Sequence, residues 1–433
     1  MRPGALATAL LACATVAVAS VALPFAPLYD PWTWLTWGRE IAHLDLDTSA
    51  GASWKPLPAL VCATFAWAGD WAPDAWLAIA RTAWFAVPVL AWSLAGRLAG
   101  PAGRPAACGA VAAAGVVLGH DGFTSHVRQM TGGLSEPMLA ALALGAILAA
   151  LSRRPGVALW LALAACLLRP EAWPFAAAYA WGTVRSGGAR PAPVVAGALL
   201  VPLLWFGPDL LAAGDALEGA ERAREGTGSP PVEALEVLGR ALVMAPVVLW
   251  GGFAALLALR PRPDRAIRVL AAGALAWIAL VALMAVAGYA GLPRFMAPAA
   301  AVVCVLGAVG VVRVASDPRL PAAGVAAVAL LALADASWRL AEVPDELGRA
   351  RDEAASTDDL RSLARAERPA ILACPPVATT DFQAQPPLAW QLEVPVADVG
   401  LTAGPPREGT LVTGLPGEWE AVRAPVCAGD GRD

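Results

Sequence analysis

The chain has 433 residues, of which 58% are apolar and 15% charged, against about 25% charged residues in an average soluble domain. That makeup excludes a single soluble globule, and so much apolar surface also excludes disorder. The formal net charge of −4 gives no basic character suited to nucleic acid. In chain order, eleven apolar runs approach the ~20 residues that a spanning helix needs. They are 4–26, 76–96, 105–119, 135–151, 156–169, 171–184, 191–211, 241–259, 268–288, 295–313 and 320–338. The first run continues past Ala17-Val18-Ala19 to Ala26, so it reads as an uncleaved span rather than a signal peptide. The short run 56–68 reads as a helix lying in, or dipping into, one membrane interface.

Loop charges give the direction. With the N-terminus in the cytoplasm, the inner turns carry Arg97 and Arg104, Arg153 and Arg154, Arg185 and Arg190, then Arg260, Arg262, Arg265 and Arg268, and Arg313 and Arg319. Their acids are few, Asp264 and Asp317, whereas the opposite loops are acidic. This is the positive-inside pattern, and it places the tail, 341–433, outside. The expected architecture is an α-helical polytopic protein of the plasma membrane. Residues 1–340 form its membrane domain, with a long first outer loop at 27–75, and 341–433 form a small extracytoplasmic α/β domain. In that tail a helix is expected over 345–367, with short apolar runs at 370–374, 389–396, 410–413 and 419–423. Five of the seven cysteines lie in apolar runs, leaving Cys374 and Cys427 as the plausible disulfide pair in an oxidising compartment.

The chemistry-bearing residues gather on the outer side. The single lysine, Lys55, and all three histidines fall there. The segment 30–47 reads DPWTWLTWGREIAHLDLD. Trp34, Trp37, Ile41 and Leu44 recur at helical spacing, with Thr33, Thr36, Glu40 and His43 opposite, which predicts an amphipathic helix at headgroup level. Asp30 before Pro31 reads as an N-cap with proline at the first helical position. Nine of the 18 tryptophans lie between Trp32 and Trp92, a density that suits interfacial anchoring.

An acid just after the first span, an interfacial helix, and then Trp54-Lys55-Pro56-Leu57-Pro58 before a short apolar helix resemble the first outer loop of GT-C glycosyltransferases. These polytopic enzymes use lipid-phosphate sugars and include protein O-mannosyltransferases and aminoarabinose transferases. Leu134-Ser135-Glu136-Pro137 resembles the superfamily's small-acidic-Pro pattern, and Gly291-Leu292-Pro293-Arg294-Phe295 its Arg-Tyr or Arg-Phe element. The resemblance covers roughly 1–315 in architecture. One departure is plain: many members carry adjacent acids or Asp-x-Asp near the first span, whereas here Pro31 follows Asp30 and Asp45-Leu46-Asp47 comes later.

The resemblance implies an inverting transferase on the outer face. It would take a polyprenyl-phosphate sugar as donor, a glycan, lipid or protein as acceptor, and membrane lipids as surroundings. Asp30 is the expected base, or a helix cap, or both. Lys55 is either a snorkelling interfacial lysine or a phosphate contact. Arg294 either binds phosphate or pairs with a loop acid. Arg169 and Glu171 are close enough in sequence for a mutual ion pair, with acceptor binding as the second reading. Glu136 would orient Arg128 or Arg294, or simply suit the helix dipole. His126 and Arg128, with His120 and Asp121, form a polar outer loop that could touch acceptor. No cofactor is implied; a divalent cation enters only if Asp45 and Asp47 face the site. Two other functions fit the same pattern, a lipid or sugar transporter or flippase and a non-catalytic relative acting as a binding scaffold.

Overall fold

The computed structural model describes residues 3–119, 126–224, 230–258, 262–319, 321–402, 404, 408–414, 418–424 and 427. His120, Asp121 and Arg260 lie outside the described residues. Eighteen α-helices follow one another among the described residues: α1 (Pro3–Ser20), α2 (Tyr29–His43), α3 (Pro56–Ala63), α4 (Ala72–Ala99), α5 (Pro105–Val117), α6 (His126–Thr131), α7 (Glu136–Leu151), α8 (Pro155–Cys166), α9 (Trp173–Arg185), α10 (Pro191–Ala212), α11 (Glu218–Arg222), α12 (Pro230–Val243), α13 (Val247–Ala258), α14 (Arg265–Val286), α15 (Ala297–Ala315), α16 (Ala322–Ala341), α17 (Val343–Leu372) and α18 (Gln385–Leu392). Each of the eleven apolar runs contains one of them, namely α1, α4, α5, α7 to α10 and α13 to α16. Proline opens many of these helices, at Pro73, Pro105, Pro137, Pro155, Pro174, Pro191 and Pro298, where its missing N–H leaves no hydrogen bond unmade. Among the described residues, five helices, the last being α16 continued into α17, are long and apolar enough to cross a bilayer on length and composition. A sixth forms if the bent pair α12–α13 counts as one span. The rest of the eleven are shorter, and the chain is a multi-pass membrane protein.

Helix α15 is the axis of the bundle, buried along almost its whole length, whereas α10 and α16 bury few of their residues, as lipid-facing helices do. α13 packs backbone to backbone on α15. A Cβ at Gly310 would sit 1.9 Å from the Gly252 carbonyl oxygen, and one at Gly307 2.2 Å from that of Leu249. Small residues permit such an approach, and packing rather than hydrophobicity holds helices together in lipid. α12 and α13 meet at a 96° bend. Arg339 of α16 reaches into it, donating to the carbonyls of Leu118, Val243 and Ala245 while paired with Asp335. It thus satisfies helix-end carbonyls that the bend orphans.

Two sequence expectations in the first loop need correction. α2 is not an interfacial helix with one wet side. Trp32, Trp34 and Trp37 are buried, but so are Thr33, Thr36 and Glu40 on the polar side. The threonine hydroxyls donate back to the Tyr29 and Trp32 carbonyls, which lets a polar face be covered by protein. Nor is Asp30 the N-cap. α2 begins at Tyr29, Leu28 holds the cap position with no side-chain bond, and Asp30 is drawn instead to Lys55.

What covers α2 is the tail. After α17 come β1 (Val377–Thr379), α18, β2 (Val399–Leu401), β3 (Thr410–Thr413) and β4 (Glu420–Arg423). The sheet order is β2-β1-β3-β4, with β1 parallel to β2 and β3, and β3 antiparallel to β4. The first half of the run 389–396 is the end of α18, where Leu388 and Leu392 share one helical face and both pack into a second core with Leu360, Ile371, Val399 and Val412. Trp390 leans on Trp32 at 6.2 Å. Arg39 of α2 donates to the carbonyls of Trp390, Ala389 and Val394. Cys374 and Cys427 are disulfide-bonded, with Cα atoms 5.7 Å apart, as the sequence suggested.

Candidate active site

Five chain segments deliver charged side chains to one point. Asp30 sits in the first turn of α2. Lys55 precedes Pro56, which holds it extended (φ −138°, ψ 111°) at the start of α3, as the residue before proline prefers. The Leu57 N–H donates to the Leu167 carbonyl at 3.0 Å, fixing that start against the end of α8. Glu136 opens α7, and Arg169 and Glu171 follow α8. Arg294 lies on a 3₁₀ turn, Pro293–Met296, that leads into α15.

Lys55 Nζ lies 3.3 Å from Asp30 Oδ2, 3.5 Å from Ser135 Oγ and 4.9 Å above the Trp34 ring. Arg294 Nη2 is 3.9 Å from the same Asp30 oxygen, and its Nε is 3.7 Å from Glu136 Oε1. Arg169 holds Glu171 through Nη2 at 2.6 Å and Nε at 3.1 Å, stacks over Phe295 at 3.5 Å, and stands 3.8 Å from Glu136. Three cations therefore face three carboxylates. Arg169 is committed, by two bonds to one partner and by its stacking. The contacts of Lys55 and Arg294 to Asp30, at 3.3 and 3.9 Å, are longer than the 2.7–2.9 Å of a strong charge-assisted bond.

Burial by itself pushes the Asp30 carboxyl up. Lys55 and Arg294, with a hydrogen bond from Lys55 and the charge of Arg169, outweigh it and hold the group below its ordinary value. Asp30 is ionised at neutral pH. An anion that drew Lys55 and Arg294 away would make it more basic.

Beside this cluster a cavity of about 550 Å³ opens between α7, α8, α9, α14 and α15. It starts at Ala172, next to Glu171, and at Trp277 and Pro298. The Trp277 indole N–H donates to the Phe295 carbonyl at 2.9 Å. Its other end lies at Arg265 and Tyr179. From Trp277 to Arg265, at 1.5 Å per residue, α14 rises ~18 Å. Nearly all of the lining is alanine, leucine, valine and aromatic carbon.

Not every expected residue belongs. Glu136 faces Arg294 and Arg169, not Arg128. Arg128 instead pairs with Glu353 of α17. His126 packs against Trp84, with ring centroids 5.1 Å apart, and its carbonyl accepts the Trp84 indole N–H. Asp45 and Asp47 lie at the far end of α2. The Asp47 carboxylate accepts from Ser49 N–H, and its own N–H donates to Glu40, so the two acids do not face the site. Among the described residues, no three His, Cys, Asp or Glu side chains are grouped to hold a metal. Ser135, Trp34 and Phe295 join the site without having been singled out. Two of them were visible in the quoted motifs, as the small residue before Glu136 and the aromatic after Arg294.

No family model and no curated protein matches the chain. Solved structures do. The crystal structure of ArnT from Cupriavidus metallidurans in the apo state is 12% identical with a TM-score of 0.53, over 91% of this chain and 86% of that one. The structure of ArnT from the same organism bound to undecaprenyl phosphate is also 12% identical, with a TM-score of 0.55, over 95% and 93%. At such identity the likeness is one of fold, and the fold this chain shares with ArnT is the GT-C-like architecture, a helical membrane bundle with a small C-terminal unit.

Proposed function

We propose that the chain is an inverting glycosyltransferase that moves a sugar from a polyprenyl-phosphate donor to an acceptor hydroxyl on the outer face of the membrane. One observation carries this reading: Asp30, Lys55 and Arg294, remote in sequence, meet beside an apolar groove deep enough for a lipid chain. The structural neighbour ArnT, seen with undecaprenyl phosphate, supports the choice of lipid. The arginine-rich turns opposite the cluster support the outer face.

In this mechanism the polyprenyl chain lies in the groove and its phosphate lies against Lys55 and Arg294. The acceptor oxygen attacks the anomeric carbon from the side opposite the phosphate. Asp30 takes the hydroxyl proton as the new C–O bond forms. The bond from the anomeric carbon to the phosphate oxygen breaks, and its electron pair leaves with the phosphate. A single displacement of this kind inverts the anomeric centre. Lys55 and Arg294 stabilise the charge that develops on the leaving group. Their shift toward phosphate removes the cations that keep Asp30 weakly basic, so donor binding and base activation are linked. Arg169, locked by Glu171 and Phe295, fixes Glu136 and the floor beneath Arg294. The tail, proposed as a domain over 341–433, touches this region through Tyr29, which stacks on Phe382 at 4.1 Å, and is placed to engage acceptor.

The test is transfer from radiolabelled undecaprenyl-phosphate sugars by the purified chain. Asp30→Asn is expected to lower turnover by roughly 10²–10⁴, the usual worth of a general base, with unchanged elution and melting. Transfer by that variant at the unaltered rate would remove Asp30 as the base.

A further inference from the structure

A second cleft lies at the other end of α2, where its C-terminal turn meets the turn 66–71 and the tail. Its volume is about 780 Å³, within the range of ligand sites. Glu40 lines it. The side chain is 3% exposed, Oε2 accepts the Asp47 N–H at 3.0 Å, and Oε1 is buried with no hydrogen-bond partner. A buried carboxyl oxygen left without a donor is costly, and the residue that carries it forms part of the wall of a cleft large enough to admit a donor. Trp67 lines the same cleft and is 85% exposed. Its indole N–H is already spent on the Thr64 carbonyl at 3.1 Å, which fixes the ring and leaves its face open.

The charges around these two groups choose the ligand. Asp70 is paired with Arg365 at 2.6 Å and Glu393 with Arg368 at 2.6 Å. Arg39 is turned toward backbone carbonyls of the tail. Three arginines and four carboxylates line the cleft, so neither sign dominates. A polyanion would meet the acids, and a polycation would find two of the four already paired and three arginines beside them. A neutral sugar meets neither difficulty. Its hydroxyls donate to Glu40 Oε1 and exchange hydrogen bonds with the outer atoms of the ion pairs. Its C–H face packs on Trp67.

We propose that this cleft is a subsite for a neutral oligosaccharide segment, holding an acceptor glycan at a distance from the reacting end. The role as an acceptor subsite rests on the transferase reading above; the binding itself does not. Glu40 stands ten residues from Asp30 on one helix, ~15 Å along its axis, so the segment held would lie several sugar units from the hydroxyl that reacts.

The experiment is direct binding of tetrasaccharides to the detergent-solubilised full chain, read by tryptophan fluorescence and calorimetry. The probes are neutral hexose and pentose tetrasaccharides, with a hyaluronan tetrasaccharide and a chitosan tetramer as anionic and cationic controls. At least one neutral probe is expected to bind. Trp67→Ala, at an exposed position that folding does not need, and Glu40→Ala are each expected to weaken it about tenfold. Asp30→Asn is expected to bind it as the wild type does. Absence of binding by every neutral probe at millimolar concentration overturns the proposal, as does stronger binding of a charged control or equal binding by the Trp67 and Glu40 variants. Neutral binding without any transfer sustains the subsite and removes the reaction. Transfer without neutral binding does the reverse.

Discussion

Arg169 makes short bonds to Glu171, whereas Lys55 and Arg294 contact Asp30 at longer range, and that difference sorts the cluster. On the proposed reading, removing a cation that holds the phosphate should cost more ligand affinity than apo stability. Arg294→Ala is expected to weaken undecaprenyl phosphate about 10–100-fold, the worth of a charge-assisted hydrogen bond; Arg294→Lys recovers part of this, because a point charge lacks the fork geometry. Microscale thermophoresis with the lipid checks both. Arg169→Ala strands two buried acids, Glu136 and Glu171, and should reduce the yield of folded protein instead. Glu40 gives a pH signature. Burial raises its carboxyl to about 7, against the Asp47 N–H and Arg39, which pull it down, and alongside Asp47 and Asp45, which push it up. A carboxyl raised on folding contributes stability while it is protonated, below its unfolded value of 4.5, and loses that contribution as pH rises toward 7. Glu40→Gln does not titrate, so wild type should lose stability relative to the variant between pH 4.5 and 8, by at most roughly 3 kcal/mol, read as a fall in its melting temperature relative to the variant's. Parallel melting curves across that range would contradict the assignment. At this scale the sequence showed Asp30, Lys55 and Arg294 because each breaks a local bias: an acid at the end of a span, the single lysine, an arginine on the arginine-poor side. It did not separate Arg128 and His126 from the site, since their partners, Glu353 and Trp84, come from segments far away in the chain.

Helix α2 shows what periodicity conveys and what it does not. The spacing of Trp34, Trp37 and Ile41 located the helix and its ends to within a few residues, because the 3.6-residue repeat is local. The same repeat could not show that α18 would cover the opposite side, so a helix buried all round read as amphipathic. Asp30 likewise read as a cap, since Asp-Pro is a capping pattern and the competing Lys55 contact spans 25 residues. The glycines of α13 and α15 looked like ordinary small residues of a membrane span. Gly310→Ala puts a methyl where the Gly252 carbonyl already lies. Because the obstacle is backbone, the helices must separate, at a cost of about 1–3 kcal/mol for overpacking. A lowered melting temperature for Gly310→Ala, and none for Gly273→Ala, which faces open space, is the expected result of scanning calorimetry.

For the whole molecule, the bundle was legible from hydropathy and loop charge, since bilayer thickness and the positive-inside bias act on every span. The tail was less so. The strands of three and four residues are too short for alternation to announce them, and only β3 and β4 fell on expected runs. Its disulfide was legible from the compartment and from elimination. Closing a separation of 53 residues, the bond is worth about 4 kcal/mol to the tail in the chain-entropy account. The pair Cys374→Ser and Cys427→Ser should therefore speed hydrogen exchange in the sheet while leaving α13 and α15 protected. The central claim, that the charged cluster and the apolar groove are two halves of one lipid-phosphate site, is most directly tested by a cryo-electron microscopy structure of the chain with undecaprenyl phosphate. The account predicts phosphate density within ~3 Å of Lys55 and Arg294, Arg294 drawn off Glu136, and the chain running along Trp277 toward Arg265. Phosphate density elsewhere, with the Asp30, Lys55 and Arg294 contacts unchanged, would contradict it.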